Sequence, residues 1–436
     1  MAILPAVKYH FMKDLGLPAL MSMQKRRKKS AGKVSHLGPP LKCGGRLKEI
    51  MTRHYYLSRL APGVKPVAWV TSGAPVELLR ALDFYTIYPE NHGALCGATK
   101  MAPEICGHAE DKGFSRDLCS YARTDLGHAF SGKTPAGKLP RPDLLFASNN
   151  ICQTVLYWYK ELAHYWHIPL VLFDTPYVFG DELKDEDTQY MASQLRDMIP
   201  ELERIAHRDF DMDRFESVLL LSKESSLTWG KVLHTMTARP APMTIFDAFV
   251  HMAPIVSLRG LPLTLDYYKI LLKELEERVE AGIGGIANER GRLMWDNIAI
   301  WFKLKDYSRL FAEHGFTFVC ATYTNAWAET IHYLNDDKPF ESLARAYGLV
   351  ILNRNLAHRL HLMESMIKEY HVDGVVIHSD RSCKPYSVGQ YDLRRLLAER
   401  CGVKAVVIEA DMTDSRCYSE EQANTRLQAF FEALEQ

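Results

Sequence analysis

The 436-residue sequence predicts an α/β protein with two Rossmann-like parallel-sheet domains related by internal duplication, plus helical N-terminal and middle segments. Three observations predict this fold class. Short apolar runs alternate with helical stretches in two parts of the chain, a strand-free helical stretch separates these parts, and the two parts align with each other. We expect a helical, basic arm at 1–64, a first Rossmann-like domain at 65–180, a helical insert at 181–290 and a second Rossmann-like domain at 291–436.

The N-terminal arm reads as helical or irregular and contains the basic run Lys25-Arg26-Arg27-Lys28-Lys29. A charge run of this kind is usually solvated, and a docking surface for a partner subunit is the alternative.

The first domain begins with apolar runs bounded by turn residues, which is typical of buried parallel strands. The predicted strands are 66–71, 85–88, 144–147 and 169–173, and the predicted helices between them are 75–83, about 115–130 and 153–166.

The insert is rich in Glu, Arg and Leu at helical spacing, and the alternation of predicted strands and helices returns after it. The second domain is predicted to have strands at 292–295, 316–321, 374–378 and 405–408, a helix ending at 314, a long helix ending at 370 and a helix after 389. Its first, third and fourth strands align with those of the first domain, as a duplication predicts.

Composition excludes several classes of protein. Lys+Arg and Asp+Glu each total 53, so no overall electrostatic field favours binding to nucleic acid or to an anionic membrane. No apolar run approaches the ~18 residues of a membrane span, and we expect a cytoplasmic location. Nine cysteines, an odd number in a long chain, indicate reduced thiols rather than a secreted disulfide framework.

Three cysteines stand out by position. Cys152 and Cys383 each follow a predicted buried strand and its polar turn, in matching segments of the two halves, and Cys119 lies near the start of the helix predicted at about 115–130. Ligands bind at the carboxyl edge of open α/β sheets, so these thiols can converge on one inorganic centre, and three thiolates suggest an iron–sulfur cluster. Because the chain has no C-x-x-C pair, the residues alone leave ordinary buried thiols open as the alternative.

The sequence around the other cysteines predicts different roles for them. Cys320 lies inside an apolar strand and Cys401 at the end of a helix, so both are predicted to be structural. Cys96 and Cys106 fall in a Gly-rich stretch predicted to be a loop that can reach the cleft. Either of them is a candidate for a fourth ligand.

Five motifs in this order resemble the landmarks of the 2-hydroxyacyl-CoA dehydratase and benzoyl-CoA reductase family, over about residues 65–415. They are SGAPVELLR at 72–80, PENHGA at 89–94, CSYAR at 119–123, SNNIC at 148–152 and SDRSCKPYS at 379–387. In that family each of two related subunits holds a 4Fe-4S cluster by three cysteines, and the matching positions are Cys119, Cys152 and Cys383. The resemblance thus implies the same three ligands that position indicates.

In length and motifs the chain is most similar to the larger cluster subunit of ATP-dependent benzoyl-CoA reductase. The resemblance implies an oxidoreductase that reduces the aromatic ring of benzoyl-CoA to a cyclic dienoyl-CoA by low-potential single-electron transfers. It also implies four partners: a second related cluster subunit, ATP-hydrolysing activator subunits, reduced ferredoxin as electron donor and the acyl-CoA substrate. The chain has no G-x-x-x-x-G-K-[ST] loop, so ATP hydrolysis is expected in another subunit.

Three alternatives stay open. A radical 2-hydroxyacyl-CoA dehydratase subunit shares the same motifs, and a non-catalytic electron-relay subunit would carry a cluster that never meets substrate. A double-Rossmann protein that binds a nucleotide or sugar would have incidental cysteines, but neither first strand is followed by G-x-G-x-x-G.

Ser72 and Glu90 follow the first two strands of the first domain, and in the family the matching side chains lie beside the substrate-binding cluster. A four-iron cluster held by three cysteines leaves one iron without a protein ligand. Ser72 and Glu90 are candidate catalytic residues that hydrogen-bond the ligand of this iron or move protons, and His92 is a possible proton donor. The alternatives are a helix N-cap for Ser72, a surface carboxylate for Glu90 and an unpaired loop histidine for His92.

Charged and aromatic residues near the cysteines have two interpretations. Arg123, Arg381 and Lys384 can offset cluster charge or bind coenzyme A phosphates, and ordinary salt bridges explain them equally well. The aromatic residues of 157–159 and 165–166 are predicted to be core rather than substrate-stacking.

Overall fold

The computed structural model of the protein describes residues 3–17, 36–180, 182–334 and 337–435. The predicted basic run at 25–29 lies outside the described residues. No helix within these ranges is both long and apolar enough to cross a membrane.

The described chain contains two four-stranded parallel sheets with the same strand order, which confirms the predicted fold class. The first sheet is ordered β2-β1-β3-β4 and the second β6-β5-β7-β8. Their strands are β1 Val67–Val70, β2 Tyr85–Ile87, β3 Leu144–Ser148, β4 Leu170–Phe173, β5 Gly291–Asp296, β6 Phe316–Ala321, β7 Gly374–Asp380 and β8 Lys404–Ala410.

Helices connect and cover the strands. Before and within the first sheet they are α1 Ile3–Phe11, α2 Gly44–Ser58, α3 Glu77–Ala81, α4 Pro89–Ala98, α5 Ala102–Glu110, α6 Ser120–Ser131 and α7 Thr154–Trp166. Between the sheets they are α8 Asp185–Asp197, α9 Ile199–Ala206, α10 Met212–His234, α11 Ile245–His251, α12 Ala253–Ser257 and α13 Pro262–Glu280. In the second half they are α14 Leu304–Glu313, α15 Thr322–Asn325, α16 Pro339–Gly348, α17 Leu356–Glu369, α18 Lys384–Ser387, α19 Gln390–Cys401 and α20 Glu420–Glu435.

The two central strands of the first sheet, β1 and β3, are fully buried, as parallel strands between helices are. Alternate residues of β1 enter different cores: Trp69 joins the larger core, which extends into the second sheet, and Val70 joins a second core with α8 and α16. β3 divides in the same way, with Leu145 in the first core and Phe146 in the second. The period-2 alternation of side chains thus fixes the sheet between two helical layers.

Two sequence predictions of local structure are wrong. The Gly-rich stretch around Cys96 and Cys106 is not a loop but the two helices α4 and α5, in which both thiols are buried. The long helix predicted to end at 370 is divided into α15, α16 and α17, and Pro339 begins the second of these helices because proline lacks the N–H that a helix interior requires.

Each sheet has a switch point where the chain reverses its direction of winding, between β1 and β3 in the first sheet and between β5 and β7 in the second. Loops diverge there and leave a crevice at the carboxyl ends of the strands. The loop after β3 carries Cys152, and the loop after β7 carries Cys383. The two cysteines therefore occupy corresponding places in the two sheets.

Candidate functional site

One cavity of about 150 Å³ collects the predicted ligands. Cys119, Cys152 and Cys383 all line it, together with Ser72 and Glu90. The three thiols come from both halves of the chain, as the sequence predicts for a cleft between two sheets. Each of the three residues is partly exposed.

Each of the three cysteines has the same local geometry. The backbone N–H of the residue three positions later hydrogen-bonds to the sulfur: Ala122 for the first, Val155 for the second and Tyr386 for the third. Each cysteine stands at or just before the beginning of a helix, where the first N–H groups have no partner within the helix. N–H donors directed at sulfur stabilise thiolate over thiol, which is the form that binds metal.

Burial opposes ionisation of these thiols in the protein without a metal. It raises the pKa of Cys119 well above the ordinary value, and the nearby Cys152 thiol raises it further. Burial likewise raises the pKa of Cys383 well above the ordinary value, followed by the effects of the Asp380 carboxyl and of Cys119. The three thiols therefore interact electrostatically, and positive charge brought to the cavity would relieve the repulsion between their thiolate forms.

A hydrogen-bond network joins the loops of two of the cysteines. The backbone N–H of Ser120, next to Cys119, donates to Ser382 Oγ at 3.1 Å, and that hydroxyl donates to Asp411 Oδ2 at 2.6 Å. Ser382 directly precedes Cys383, so one buried hydroxyl fixes a ligand loop of the first half against a ligand loop of the second.

Ser72 and Glu90 form a pair at the cavity wall. The backbone N–H and the hydroxyl of Ser72 both donate to Glu90 Oε1, at 3.0 and 3.1 Å. Ser72 does not cap the following helix, whose N-cap is Val76, and Glu90 is buried rather than on the surface. The alternatives considered for both residues therefore do not apply.

The second carboxylate oxygen of Glu90, Oε2, is buried without a hydrogen-bond partner. Burial raises the pKa of this carboxyl to about 7, and the hydrogen bonds from Ser72 limit the rise. A carboxyl that titrates near neutral pH can both accept and return a proton. Ser72, Glu90 and Tyr323 also line a second cavity of about 290 Å³, so the pair stands between two open spaces.

His92 does not line either cavity. Its Nε2 lies 2.7 Å from Thr134 Oγ1, and its ring packs against that of His128. Burial lowers the pKa of His92 to about 3, so it is neutral at physiological pH. The structure supports a packing role for this residue, and proton donation by His92 stays an untested prediction.

Two of the three charged residues predicted to flank the cysteines make ordinary ion pairs, and Lys384 Nζ instead donates to the backbone carbonyl of Arg381 at 2.9 Å. Arg123 is fully buried and pairs with Glu110 and Asp414, both at 2.8 Å. Arg381 is exposed and lies 3.5 Å from Asp117. These contacts support the salt-bridge interpretation.

The sequence does not predict all of the aromatic side chains that line the cavity. Tyr121, Tyr323 and Tyr386 line it, and each lies within two or three residues of a motif or strand end, which is a signal the sequence offers. Trp158 was predicted to be core; it is buried, and it also lines the cavity while its Nε1 donates to Asp125 Oδ2 at 2.8 Å.

Three thiols are the candidate metal ligands at the cavity. No group of three or more His, Cys, Asp or Glu side chains in the described ranges is arranged to hold one metal ion. In a four-iron cluster each cysteine binds a different iron, so its ligands stand farther apart than those of one ion. Three thiols around a mostly apolar cavity are a donor set of the kind that would hold such a cluster. Cys96 and Cys106 do not line this cavity.

Comparisons with known proteins place the chain in a family. The family model described as 2-hydroxyglutaryl-CoA dehydratase, D-component, matches residues 71–434. The chain is 34% identical to the (R)-2-hydroxyisocaproyl-CoA dehydratase alpha subunit of Clostridioides difficile, over 85% of this chain and 91% of the relative. It is 33% identical to the (R)-phenyllactyl-CoA dehydratase alpha subunit of Clostridium sporogenes, over 84% and 89%. It is 30% identical to a benzoyl-CoA reductase subunit from Thauera aromatica, over 86% and 90%. The chain therefore belongs to the 2-hydroxyacyl-CoA dehydratase and benzoyl-CoA reductase family, as its motifs predict.

Proposed function

We propose that this chain is the substrate-binding, cluster-holding subunit of a 2-hydroxyacyl-CoA dehydratase. The observation that carries the proposal is the convergence of Cys119, Cys152 and Cys383 with the Ser72–Glu90 pair on one apolar cavity. The benzoyl-CoA reductase that the sequence favoured becomes the second candidate, because dehydratase alpha subunits match this chain at 33 and 34% identity and the reductase subunit at 30%.

The three cysteines would hold a 4Fe-4S cluster by three of its irons. Such a cluster supplies an open iron that acts as a Lewis acid on a thioester carbonyl and exchanges single electrons with the substrate. The N–H donors behind the sulfurs and the apolar lining would set its charge and exclude water.

Glu90 is the proton carrier in this proposal. Dehydration removes hydroxide from C2 of the acyl group and a proton from C3. A carboxylate whose pKa is near 7 can take the C3 proton at Oε2 and return it to the departing hydroxide as water forms. Ser72 holds Oε1, so it orients the carboxylate and leaves the other oxygen free to react.

Benzoyl-CoA reduction has its own supporting observation. Tyr121, Trp158, Tyr323 and Tyr386 give the cavity an aromatic lining against which a ring can pack. In that reaction Glu90 would donate its proton to the ring rather than transfer one within the substrate. Both reactions need low-potential electrons, and we propose that a second related subunit and an ATP-hydrolysing activator, itself reduced by ferredoxin, complete the enzyme.

The test is anaerobic purification of the full chain with its co-purifying subunits, followed by iron and sulfide analysis. We expect about four irons per chain, lost when Cys119, Cys152 or Cys383 is changed to serine and retained in the matched control Cys401→Ser, whose thiol lies at the end of α19. Turnover with a 2-hydroxyacyl-CoA supports the dehydratase, and turnover only with benzoyl-CoA supports the reductase. An iron-free wild-type protein from cells that assemble clusters would contradict both.

A further inference from the structure

We infer that the cavity is built for an uncharged, apolar acyl group, and that it rejects acyl-CoA thioesters that carry a second carboxylate. The inference rests on the proposed function and limits the substrates of that enzyme to one class of acyl-CoA thioester. The family extends from dicarboxylic to aliphatic and aromatic acyl groups in the names of its members, so membership alone does not decide this.

The argument begins with the charges at the cavity wall. Among the described residues that line the cavity, the carboxylates are Glu77 and Glu90 and the cation is Arg259. A substrate carboxylate placed in an apolar cavity needs a cation or several hydrogen-bond donors, because an unpaired buried charge is costly. Arg259 is therefore the residue that decides whether a dicarboxylic acyl group can bind.

All three nitrogens of the Arg259 guanidinium already have partners. Nε lies 3.1 Å from Glu77 Oε1, and Nη1 donates to the backbone carbonyl of Ile255 at 3.1 Å. Nη2 donates to the hydroxyl of Tyr347 at 2.6 Å and to the carbonyl of Ala74 at 3.4 Å. The side chain is 4% exposed, and four of its five N–H groups have partners within the protein.

The partner carboxylate is satisfied as well. Ser222 Oγ donates to Glu77 Oε1 and Tyr347 Oη donates to Oε2, both at 2.8 Å. The Arg259 guanidinium also lies over the rings of Trp327 and Tyr347, 5.2 and 5.6 Å from their centroids. To reach a substrate carboxylate, Arg259 would have to leave a buried ion pair and expose Glu77 unpaired, which is strongly unfavourable.

The rest of the wall is mostly apolar, and its other polar side chains are hydroxyls such as those of Thr154, Ser226 and Thr330. The largest apolar contribution comes from the described residues of the β6–β7 connection, 326–334 and 346–352, and further apolar side chains come from α7 and its preceding loop. The branched aliphatic lining residues are Ile151, Val155, Ile298, Ile331, Leu334, Val350, Ile351 and Leu352. Glu90 is the remaining carboxyl, and when ionised it repels a second carboxylate.

The test is competition binding to the full chain, purified anaerobically with its co-purifying subunits. 4-Methylpentanoyl-CoA, benzoyl-CoA, glutaryl-CoA and free coenzyme A are titrated, with the fluorescence of the cavity-lining tryptophans as readout. We expect both apolar thioesters to bind at least about tenfold more tightly than glutaryl-CoA. Glutaryl-CoA binding equally well or better overturns the inference while leaving the proposed function in place. No thioester binding better than coenzyme A overturns the proposed function and this inference with it.

A gain-of-function variant makes the test sharper. Thr330 lines the cavity and is partly exposed to it, so Thr330→Lys adds the cation that the wall lacks. We expect the ratio of glutaryl-CoA to 4-methylpentanoyl-CoA affinity to rise about tenfold or more in this variant. The matched control Thr330→Met, of similar length without the charge, should leave the ratio near that of the wild type. An equal rise in both variants would contradict the charge argument.

Discussion

Replacing Glu90 by glutamine should stabilise the cluster-free protein at alkaline pH. Glu90 is buried, and its pKa rises from an ordinary 4.5 to about 7. At 1.36 kcal/mol per unit, the ionised carboxylate costs the folded state about 3 kcal/mol. Glutamine keeps an oxygen that can accept the two Ser72 hydrogen bonds, and it carries no charge to desolvate.

The pH dependence gives the sign of the effect. Because the pKa is raised on folding, the folded state binds the proton more tightly than the unfolded state. The stability that the folded state gains from the proton on Glu90 is fully present below pH 4.5 and is lost as pH rises through about 7. The stability of Glu90→Gln relative to the wild type should therefore increase by about 2 to 3 kcal/mol between pH 5 and pH 8. Urea unfolding of both proteins at the two pH values measures this difference.

The control is the same substitution at a paired carboxylate. Glu77 is equally buried but forms an ion pair with Arg259, so Glu77→Gln should destabilise the protein by about 3 to 5 kcal/mol. If Glu90→Gln gains no stability on going from pH 5 to pH 8, burial does not hold the Glu90 carboxyl near neutral pH, and its role as a proton carrier loses its physical basis.

Two further predictions concern packing and ligand positioning. A Cβ at Gly127 would lie 1.9 Å from the carbonyl oxygen of Ile105, so thermal unfolding should show Gly127→Ala destabilised by about 1 to 3 kcal/mol. Gly107→Ala, in the facing helix with open space around it, should instead be stabilised by up to about 1 kcal/mol. Ser382→Ala removes the hydroxyl that joins two cysteine loops, so anaerobic samples should lose iron faster to a chelator than the wild type while their melting temperature changes little. Equal rates of iron loss would show that the hydroxyl does not position the ligands.

The strands were predictable because their environment is simple. Most of them are short apolar runs with largely buried side chains, bounded by turn residues, so length and composition suffice to identify them. Cys152 and Cys383 were predictable for the same reason, since the place of each follows from the strand before it.

The helices α4 and α5 were harder to predict because glycine occurs both in loops and at close contacts between helices. Gly93 suggested a loop, yet it lies inside α4, where a neighbour leaves no room for a side chain. A Cβ at Gly93 would lie 2.5 Å from the ring of Tyr121. Here the loss of helix propensity at glycine is offset by close packing between helices, and packing partners distant in sequence cannot be read from composition.

The two halves share a strand order but not the content of their connections, and this difference organises the candidate site. The β2–β3 connection of the first half carries Glu90 and Cys119, the proton carrier and a ligand of the proposed enzyme. The corresponding β6–β7 connection contains no cysteine and instead contributes apolar cavity wall through residues such as Ile331 and Leu352. Because both connections leave equivalent strands, their side chains meet in one cleft. The first connection therefore carries the proposed proton carrier and one ligand while the second contributes cavity wall, so substitutions in the β6–β7 connection should change which acyl group binds before they change the chemistry.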